Sequence, residues 1–332
     1  MGLRDAVVDI AIPVFRRTTF LADAVESVLG QTYDRWQLTI IDNGPGGGDI
    51  ERAVQPYLAD SRVSYKATGE ELPLPENWTK AIRRGSAPFV ALLHDDDRWH
   101  ADYLGARVHA LESHPECGFA FGESVQIERD GREVLRVPTR FPEGPLPRHA
   151  LAHWLVRECI ITSPTIVVRR AAYDAVGAEF RDVWQYCDWE MWARIAARFP
   201  AYYLARSDSD LRRHATTFSV LVQEKPKQLI AMTGAIEAIF EQELDGFEVT
   251  PIRRASNRSR ILLRAAESIH IGGGWAASRN LYLHSLKAYP PAFFSYTSLR
   301  MVARTLLGAR LSARFAAVPK LFRRLRAVRR YV

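Results

Sequence analysis

The first hundred residues alternate short apolar runs with longer segments in which apolar residues recur every three or four positions. This alternation is typical of βαβ units with parallel strands. We therefore predict an α/β domain that begins with four strands, at 7–14, 37–42, 62–67 and 89–94. Two helices are predicted between them, one over 21–29 that ends at Gly30 and one over 77–84, and the glycine-rich segment 44–48 is predicted to be a loop.

The pattern changes character after Pro115. A hairpin around Asp130 and Gly131 is predicted from the two apolar segments that flank it, at 119–128 and 133–137. The proline-rich segment 141–147 is predicted to be a loop. We further predict extended segments at 165–169 and 201–205, a helix that begins near Asp188, and helices beyond 222 with breaks at 272–274 and 289–291.

Size and cysteine content restrict the classes of protein to which this chain belongs. A chain of 332 residues, 47% of them hydrophobic, can bury a large core and has room for an accessory region. Its three cysteines, Cys117, Cys159 and Cys187, are an odd number with no CxxC spacing, which argues against a disulfide framework and a zinc ribbon. The N-terminus lacks the apolar stretch of a signal peptide, and no later segment has about 18 uninterrupted apolar residues. We expect a cytoplasmic protein that does not span the membrane.

The positive charge belongs to the C-terminal end of the chain. Glu267 is the last acidic residue, and 12 of the 45 Lys and Arg residues follow it. Over 292–331, apolar residues at helical spacing lie among these cations, a pattern that favours a helix on an anionic membrane surface at the inner face. The same pattern is typical of a helix that packs on the catalytic domain or pairs with another subunit. Nucleic-acid binding is not predicted, because the basic residues form no recognisable motif.

Three adjacent aspartates, Asp95, Asp96 and Asp97, follow the apolar run 89–94 in the sequence LLHDDDRW. The carboxyl ends of strands form the edge at which open α/β sheets bind ligands. Neighbouring carboxylates repel one another, and Mg²⁺ or Mn²⁺ shared with substrate phosphates relieves that repulsion. The segment therefore indicates a cation site, although an acidic, solvated turn has the same sequence pattern.

Three other segments contain residues that can take part in chemistry. Asp42 ends the predicted strand 37–42, where it can accept hydrogen bonds from a nucleoside or simply form a turn. Asp188 precedes an apolar helical stripe and fits either a helix cap or a general base. The segment 211–219, LRRHATTFS, suits a diphosphate or its cation, and it equally suits a solvated basic loop.

These motifs occur in an order that resembles a known family. The order is IAIPVFRR, ESVLGQTYDRWQLTIIDNG, LLHDDDRW, CDWEMWARIA and RRHATTFS, over about residues 7 to 220. It resembles the family 2 inverting glycosyltransferases of the GT-A fold. The resemblance implies a mixed, mostly parallel sheet with flanking helices and a helical C-terminal region. It also implies a catalytic domain over 1–221, with a donor half to about 115 and an acceptor half over 116–221, followed by a helical region over 222–332.

The resemblance assigns roles to individual residues. Asp188 matches the family's general base, although Cys187 stands where the family has Glu. The residues implied to bind the donor are Pro13, Phe15, Arg17, Asp42, Asn77, Asp95 and Arg213. Those implied to bind Mg²⁺ or Mn²⁺ are Asp96, Asp97 and His214. His94 stands where the family often has Asp, which leaves open how the three aspartates divide these roles.

The resemblance implies a reaction with a nucleoside-diphosphate sugar, most often a UDP-sugar. The acceptor would be a hydroxyl of a glycan, a lipid-linked sugar or a small molecule. Two alternatives remain at this stage. A nucleotidyltransferase also uses carboxylates and a cation, but normally has a glycine- and basic-rich phosphate loop that IPVFRRTTF lacks. The second alternative is a degenerate, membrane-associated subunit that binds sugar nucleotides without catalysis.

Overall fold

The computed structural model describes residues 7–182, 186–213, 226–271, 275–295, 297–299 and 301–302. By internal contacts the chain divides into two compact units. The first comprises Met1–Ser219 with Met232–Val249, and the second comprises Val220–Ala231 with Thr250–Val332.

The strands of the described residues all belong to one sheet of the first unit. They are β1 (Val8–Val14), β2 (Trp36–Asp42), β3 (Val63–Ala67), β4 (Phe89–Leu92), β5 (Arg98–Trp99), β6 (Phe119–Ile127), β7 (Glu133–Arg136), β8 (Gly144–Leu146), β9 (Ile166–Arg169) and β10 (Ala201–Arg212). The helices are α1 (Leu21–Leu29), α2 (Asp49–Val54), α3 (Leu74–Ile82), α4 (Tyr103–Ser113), α5 (Arg148–Leu155), α6 (Arg170–Ala175), α7 (Cys187–Arg198), α8 (Pro226–Glu243), α9 (Pro251–Ile271) and α10 (Trp275–Ala288).

The sheet is mixed. Its strands follow the order β3-β2-β1-β4-β9-β6-β10-β5, with β7 paired to β6 and β8 paired to β10. The first four strands of this order are parallel, as the predicted βαβ units require. Strand β9 then pairs antiparallel with both β4 and β6, and so joins the parallel half to the second half of the sheet.

The main core lies on the face of the sheet that alternate residues of β1 present to helices. Ile10, Ile12 and Val14 are at most 2% exposed and belong to the same hydrophobic cluster as Val25 of α1 and Val108 of α4. Burying a side chain of this size contributes about 1.5–3 kcal/mol, so this helical layer is a main source of stability.

Gly85 shapes the turn that leads into β4. Its φ angle is +72°, and a Cβ atom there would lie 2.3 Å from the Asp9 carboxylate. That carboxylate accepts the backbone N–H of Ala87 at 2.8 Å and pairs with Arg170. Only glycine fits this position, both for its backbone conformation and for the space that Asp9 occupies.

Several predicted boundaries were wrong. Helix α3 begins at Leu74 rather than Asn77, and β4 ends at Leu92, before the predicted end at 94. The predicted loop over 141–147 contains β8, and the segment predicted to end at 205 continues to Arg212. In the last two cases pairing with a distant strand decides the outcome, because β10 pairs with β5, β6 and β8.

A fully buried ion pair fixes α4 to β10. The Arg107 guanidinium, 0% exposed, donates to both carboxylate oxygens of Asp208 at 2.9 and 2.8 Å. It also donates to the backbone oxygens of Thr165 and Tyr103 and lies 3.6 Å from the Tyr103 ring centre. The charge is therefore compensated on several sides, which a buried guanidinium requires.

The second unit contains an antiparallel pair of helices, α9 and α10. The Ser259 and Ser285 hydroxyls meet at 2.9 Å, and the Ser278 hydroxyl donates to the Ala266 oxygen at 2.7 Å. The predicted break at 289–291 is confirmed, because α10 ends at Ala288 and a 3₁₀ turn follows. The break predicted at 272–274 lies outside the described residues. In the described helices we find none that is both long and apolar enough to cross a membrane.

We predict that Arg107→Leu lowers the free energy of unfolding of the first unit by about 3–5 kcal/mol, because Asp208 is then buried without its bidentate partner. Urea denaturation followed by tryptophan fluorescence measures the change, since Trp99 stacks on Tyr103 beside this pair. Arg52→Leu is the matched control, because its partner Asp49 is exposed and the pair contributes about 1 kcal/mol or less. Equal losses in the two variants would contradict the role assigned to Arg107.

Candidate active site

The candidate site lies where the strand order reverses. The chain runs from β1 to β2 and β3 on one side, then crosses to β4 on the other side of β1. Ligands of open α/β sheets bind outside the carboxyl ends of the strands at such a switch point. Strand β4 pairs only with the first four residues of β1, so the two strands separate before Pro13. The chain segments after Val14 and after Leu92 therefore border one crevice.

The three aspartates form a buried turn at this crevice. Asp95, Asp96 and Asp97 are each at most 6% exposed. Strand β5 follows at once and pairs antiparallel with β10. The turn is therefore held between the two halves of the sheet, and the simple reading as an acidic, solvated turn is wrong.

Arg17, from the segment after β1, provides the nearest positive charge. Its guanidinium lies 2.7 Å from Asp95 Oδ1 and 2.8 Å from Asp96 Oδ2. A second pair of contacts, from Nε to both Asp95 oxygens, measures 3.3 and 3.2 Å. One guanidinium thus spans two carboxylates.

Arg212, at the end of β10, holds the backbone of the same turn. Its N–H donates to Asp97 Oδ1 at 2.9 Å, and its guanidinium donates to the Asp96 carbonyl at 3.0 Å and to Asp23 at 2.6 Å. Residues 211 and 212 belong to β10, so the start of the segment 211–219 is a strand and not a solvated basic loop. The predicted contribution of Arg212 to a diphosphate site is not supported, because its side chain is buried against these partners.

His94 joins this group. Its Nδ1 lies 3.1 Å from Asp97 Oδ2, and its ring stacks on Trp78 with the centroids 5.3 Å apart. Burial opposes protonation, but the hydrogen bond and charge of Asp97, with two further carboxylates, raise the pKa of His94 to about 9. Its Nε2 atom is buried and has no hydrogen-bond partner among the described residues.

The charges at the turn fit a divalent cation. Burial raises the pKa values of Asp95 and Asp97, although Arg17 and His94 oppose the rise. The ionised carboxylates are therefore not fully compensated by the side chains around them. Ligand atoms of His94, Asp96 and Asp97 lie within 4.8 Å of one another, which is a spacing that one ion can bridge.

Asp42 lies at the carboxyl edge of the parallel strands, where its backbone is level with Val14 of β1. Its carboxylate is buried and accepts the Tyr65 hydroxyl at 2.7 Å. Asn43 beside it exchanges two side-chain hydrogen bonds with the backbone of Leu72, both at 2.9 Å. These bonds hold the 69–72 loop against the end of β2.

Asp188 lies in the first turn of α7, but Tyr186 is the residue at the N-cap position. The Asp188 Oδ1 atom accepts the Trp189 N–H at 2.7 Å, and the Asp188 Oδ2 atom accepts the Ser163 hydroxyl at 3.3 Å. Burial raises the pKa of Asp188, against lowering contributions from Trp189, His94 and Ser163. The charge of Asp188 also contributes to the raised pKa of His94, so Asp188 lies in the neighbourhood of the aspartate turn.

The other predicted residues lie in different settings. Phe15 is 46% exposed, whereas Asn77 is buried, with an Oδ1 atom that lacks a partner among the described residues. The Arg213 guanidinium lies 3.4 Å from Gln126 Oε1. His214, predicted to bind the cation, lies outside the described residues.

Sequence reasoning missed the roles of His94, Trp78 and Ser163. His94 was visible beside the aspartates, but its orientation depends on Trp78 of α3. Ser163 belongs to a 3₁₀ turn whose Pro164 carbonyl accepts hydrogen bonds from Trp99 and Ser209 at 2.7 and 2.9 Å. No local motif marks this turn, because its partners are about 45 and 65 residues away.

Comparison with known sequences gives a clear family assignment. The model of glycosyl transferase family 2 matches residues 9–177. An uncharacterized glycosyltransferase of Rickettsia bellii is 26% identical over 168 residues, which are 50% of this chain and 23% of that protein. The Escherichia coli UDP-Glc:alpha-D-GlcNAc-diphosphoundecaprenol beta-1,3-glucosyltransferase WfgD is 23% identical over 166 residues, 50% of this chain and 61% of that protein. The chain thus spans only part of the length of these relatives.

Solved structures share the fold. S. aureus TarS 1–349 in complex with UDP-GlcNAc aligns with a TM-score of 0.55 at 11% identity, over 85% of this chain and 91% of that one. The mannosyltransferase PcManGT of Pyrobaculum calidifontis, in complex with GDP-Man and Mn²⁺, aligns with a TM-score of 0.50 at 14% identity, over 95% and 80% of the two chains. Both are transferases of the GT-A fold, and the predicted fold is confirmed. Because the family model matches half of the sequence, the chain belongs to glycosyl transferase family 2.

Proposed function

We propose that this chain is an inverting glycosyltransferase that uses a nucleoside-diphosphate sugar, a divalent cation and Asp188 as general base. One observation carries the proposal. A buried turn with three carboxylates lies at the switch point of the sheet, and the charge of a fourth carboxylate, that of Asp188, helps to raise the pKa of His94 in the same group. The aspartate turn together with Asp188 suits a reaction that needs both a stabilised leaving group, at the turn, and a base, at Asp188.

The donor nucleoside is proposed to bind at the ends of β1 and β2. Asp42 offers hydrogen-bond acceptors to the base, Phe15 offers an exposed ring, and Pro13 leads the chain away from β4. The unpartnered Oδ1 of Asn77 and the carboxylate of Asp95 are further donor-binding groups. A UDP-sugar is the proposed donor, which the UDP-GlcNAc complex of TarS supports at the level of the fold.

Mg²⁺ or Mn²⁺ is proposed to bind at Asp96, with Asp97 and His214 as further ligands and His94 in reach. When bound, such a cation stabilises the negative charge that develops on the departing nucleoside diphosphate. The GDP-Man and Mn²⁺ complex of PcManGT is consistent with a cation at such a site. Arg17 and Arg213 would add positive charge to the diphosphate side of the crevice.

Asp188 is proposed to accept the proton of the acceptor hydroxyl. The acceptor oxygen forms a bond to the anomeric carbon while the bond from that carbon to the diphosphate breaks, and the electron pair of that bond leaves with the diphosphate. The single displacement inverts the anomeric configuration. Ser163 and the Trp189 N–H hold the carboxylate in place, and they favour the ionised form that a base requires.

The acceptor is proposed to be a hydroxyl of a glycan or of a lipid-linked sugar. The relative WfgD, whose name gives a sugar linked to diphosphoundecaprenol as its acceptor, supports a lipid-linked acceptor. Such an acceptor requires access to a membrane surface, which we place at the inner face. The basic tail predicted over 292–331 remains a prediction, since residues beyond 302 lie outside the described part of the chain.

Hydrolysis of a panel of UDP-, GDP- and dTDP-sugars, with and without Mn²⁺, tests the proposal. We expect Mn²⁺-dependent release of one nucleoside diphosphate. Formation of a nucleoside triphosphate and sugar 1-phosphate when pyrophosphate is added would indicate a nucleotidyltransferase. Binding of a sugar nucleotide without turnover, even with candidate acceptors, would indicate a binding subunit. Either result would overturn the proposed reaction.

We predict that Asp96→Asn abolishes the Mn²⁺-dependent part of donor binding, because a neutral amide replaces the principal ligand. Isothermal titration with UDP-sugar in the presence and absence of Mn²⁺ measures the effect. Asp49→Asn is the control, because Asp49 is 84% exposed at its side chain. An unchanged Mn²⁺ dependence in Asp96→Asn would refute the assignment of the cation to Asp96.

We predict that Asp188→Asn lowers kcat by roughly 10²- to 10⁴-fold and leaves donor affinity unchanged, because the amide cannot accept the proton. The amide oxygen can still accept the Trp189 N–H, so the helix start is preserved. Steady-state kinetics and donor titration separate the two effects, and the exposed Asp182→Asn serves as control. If transfer survives in Asp188→Asn, Asp188 only stabilises the helix.

We predict that Ser163→Ala moves the acidic limb of the kcat/KM profile to higher pH. The direction of this shift follows from the hydrogen bond that Ser163 donates, which stabilises the Asp188 carboxylate and lowers the pKa of Asp188. Removing that hydrogen bond raises the pKa. Activity requires the ionised base, so a higher pKa removes activity at a higher pH. Ser209→Ala is the control, because Ser209 supports the same turn without contacting Asp188. A shift of equal size in both variants would assign Ser163 a purely structural role.

A further inference from the structure

The exposed apolar side chains of the described residues are concentrated in the second unit. Eight large hydrophobic side chains are exposed, and five of them belong to this unit. The five are Ile252, Leu283, Phe293, Phe294 and Leu299. Phe294 is 78% exposed and Ile252 is 71% exposed, which are high values for side chains that water solvates poorly.

The pairing of α9 with α10 brings three of these side chains to one end of the helix pair. Ser259 lies opposite Ser285, so the start of α9, which contains Ile252, lies towards the end of α10, and the 3₁₀ turn that follows α10 contacts α9. Phe293 and Phe294 follow directly in the 3₁₀ turn after α10. Their rings pack edge to face, 5.4 Å apart, and both remain exposed.

Exposed cations lie near this apolar end in the two helices that form it. Arg253 follows Ile252 and is exposed, and Lys287 lies two residues beyond Ser285 and is also exposed. Over 251–302 the sequence contains eight Lys and Arg residues and a single acidic residue, Glu267. Apolar rings within a strongly positive surface suit a partner that offers both apolar volume and negative charge.

We propose that this end of the helix pair, formed by Ile252, Arg253, Lys287, Phe293 and Phe294, docks on an anionic lipid bilayer. Aromatic and aliphatic side chains enter the boundary between headgroups and acyl chains, while Arg and Lys remain at the anionic headgroups. A second copy of the chain is a poorer partner, because two strongly positive surfaces repel each other.

Phe293 and Phe294 lie at the start of the predicted tail segment 292–331, whereas Ile252, Arg253 and Lys287 lie outside it. The proposal does not depend on the enzymatic activity. The tail beyond 302 contributes charge wherever it lies, whereas the phenylalanine pair contributes a localised apolar contact. The two contributions can be separated, because substituting the phenylalanines changes no charge.

The test is sedimentation of the full chain with vesicles of phosphatidylcholine alone or with 30% phosphatidylglycerol. We expect binding to the anionic vesicles only, and a loss of affinity of at least about tenfold in the F293S/F294S variant. V134S/L135S is the matched control, since these two residues are exposed on β7 of the first unit. Circular dichroism and donor hydrolysis of the same samples establish that the variants are folded, and separate loss of docking from failure of the proposed reaction.

The R253Q/K287Q variant tests the electrostatic component. We expect weaker binding to anionic vesicles at low salt and a smaller loss when the salt concentration is raised. Unchanged binding of F293S/F294S would overturn the proposal and assign docking to another part of the chain. Sedimentation velocity that shows self-association of the wild type, lost in F293S/F294S, would assign the surface to a second copy and would also overturn it.

Discussion

The negative charge of the Asp95–Asp97 turn is the constraint on which the rest of the site depends. Three carboxylates this close and this deeply buried are unstable unless several positive groups surround them. The chain supplies two such groups, Arg17 after β1 and His94 after β4, and the backbone N–H of Arg212 at the end of β10 adds a hydrogen bond to Asp97. The charge of one turn therefore ties both halves of the sheet to the same point.

A second set of contacts extends this framework to the base. Strand β5 directly follows the aspartates, and the Trp99 indole donates to the Pro164 carbonyl. The neighbouring residue, Ser163, donates to Asp188. A continuous path of covalent and hydrogen bonds thus leads from the proposed cation ligands to the proposed base, through side chains that are almost fully buried. Two groups that act on opposite sides of a reacting carbon need such a fixed separation.

The sequence predicted the features that depend on local pattern. The strand and helix alternation, the aspartates at a strand end and the family could all be inferred from residues close together in the chain. The extension of β10 to Arg212 could not, because it depends on pairing with β6, about 80 residues away. The buried position of Arg212 and the link from Ser163 to Asp188 likewise require the assembled sheet. The sequence indicated that Arg212 could bind an anionic ligand. It did not indicate that the Arg212 guanidinium would instead donate to the Asp23 carboxylate and the Asp96 carbonyl.

Arg17 connects the charge of the turn to the proposed reaction. Its guanidinium contacts Asp95 and Asp96, which are the groups proposed to bind the donor and the cation. A cation alone must compete with this guanidinium for Asp96. A nucleoside diphosphate that arrives with the cation offers Arg17 a new anionic partner, and the competition is then relieved. Under the proposed function, donor and cation should therefore bind with positive coupling, since each makes the rearrangement of Arg17 less costly for the other.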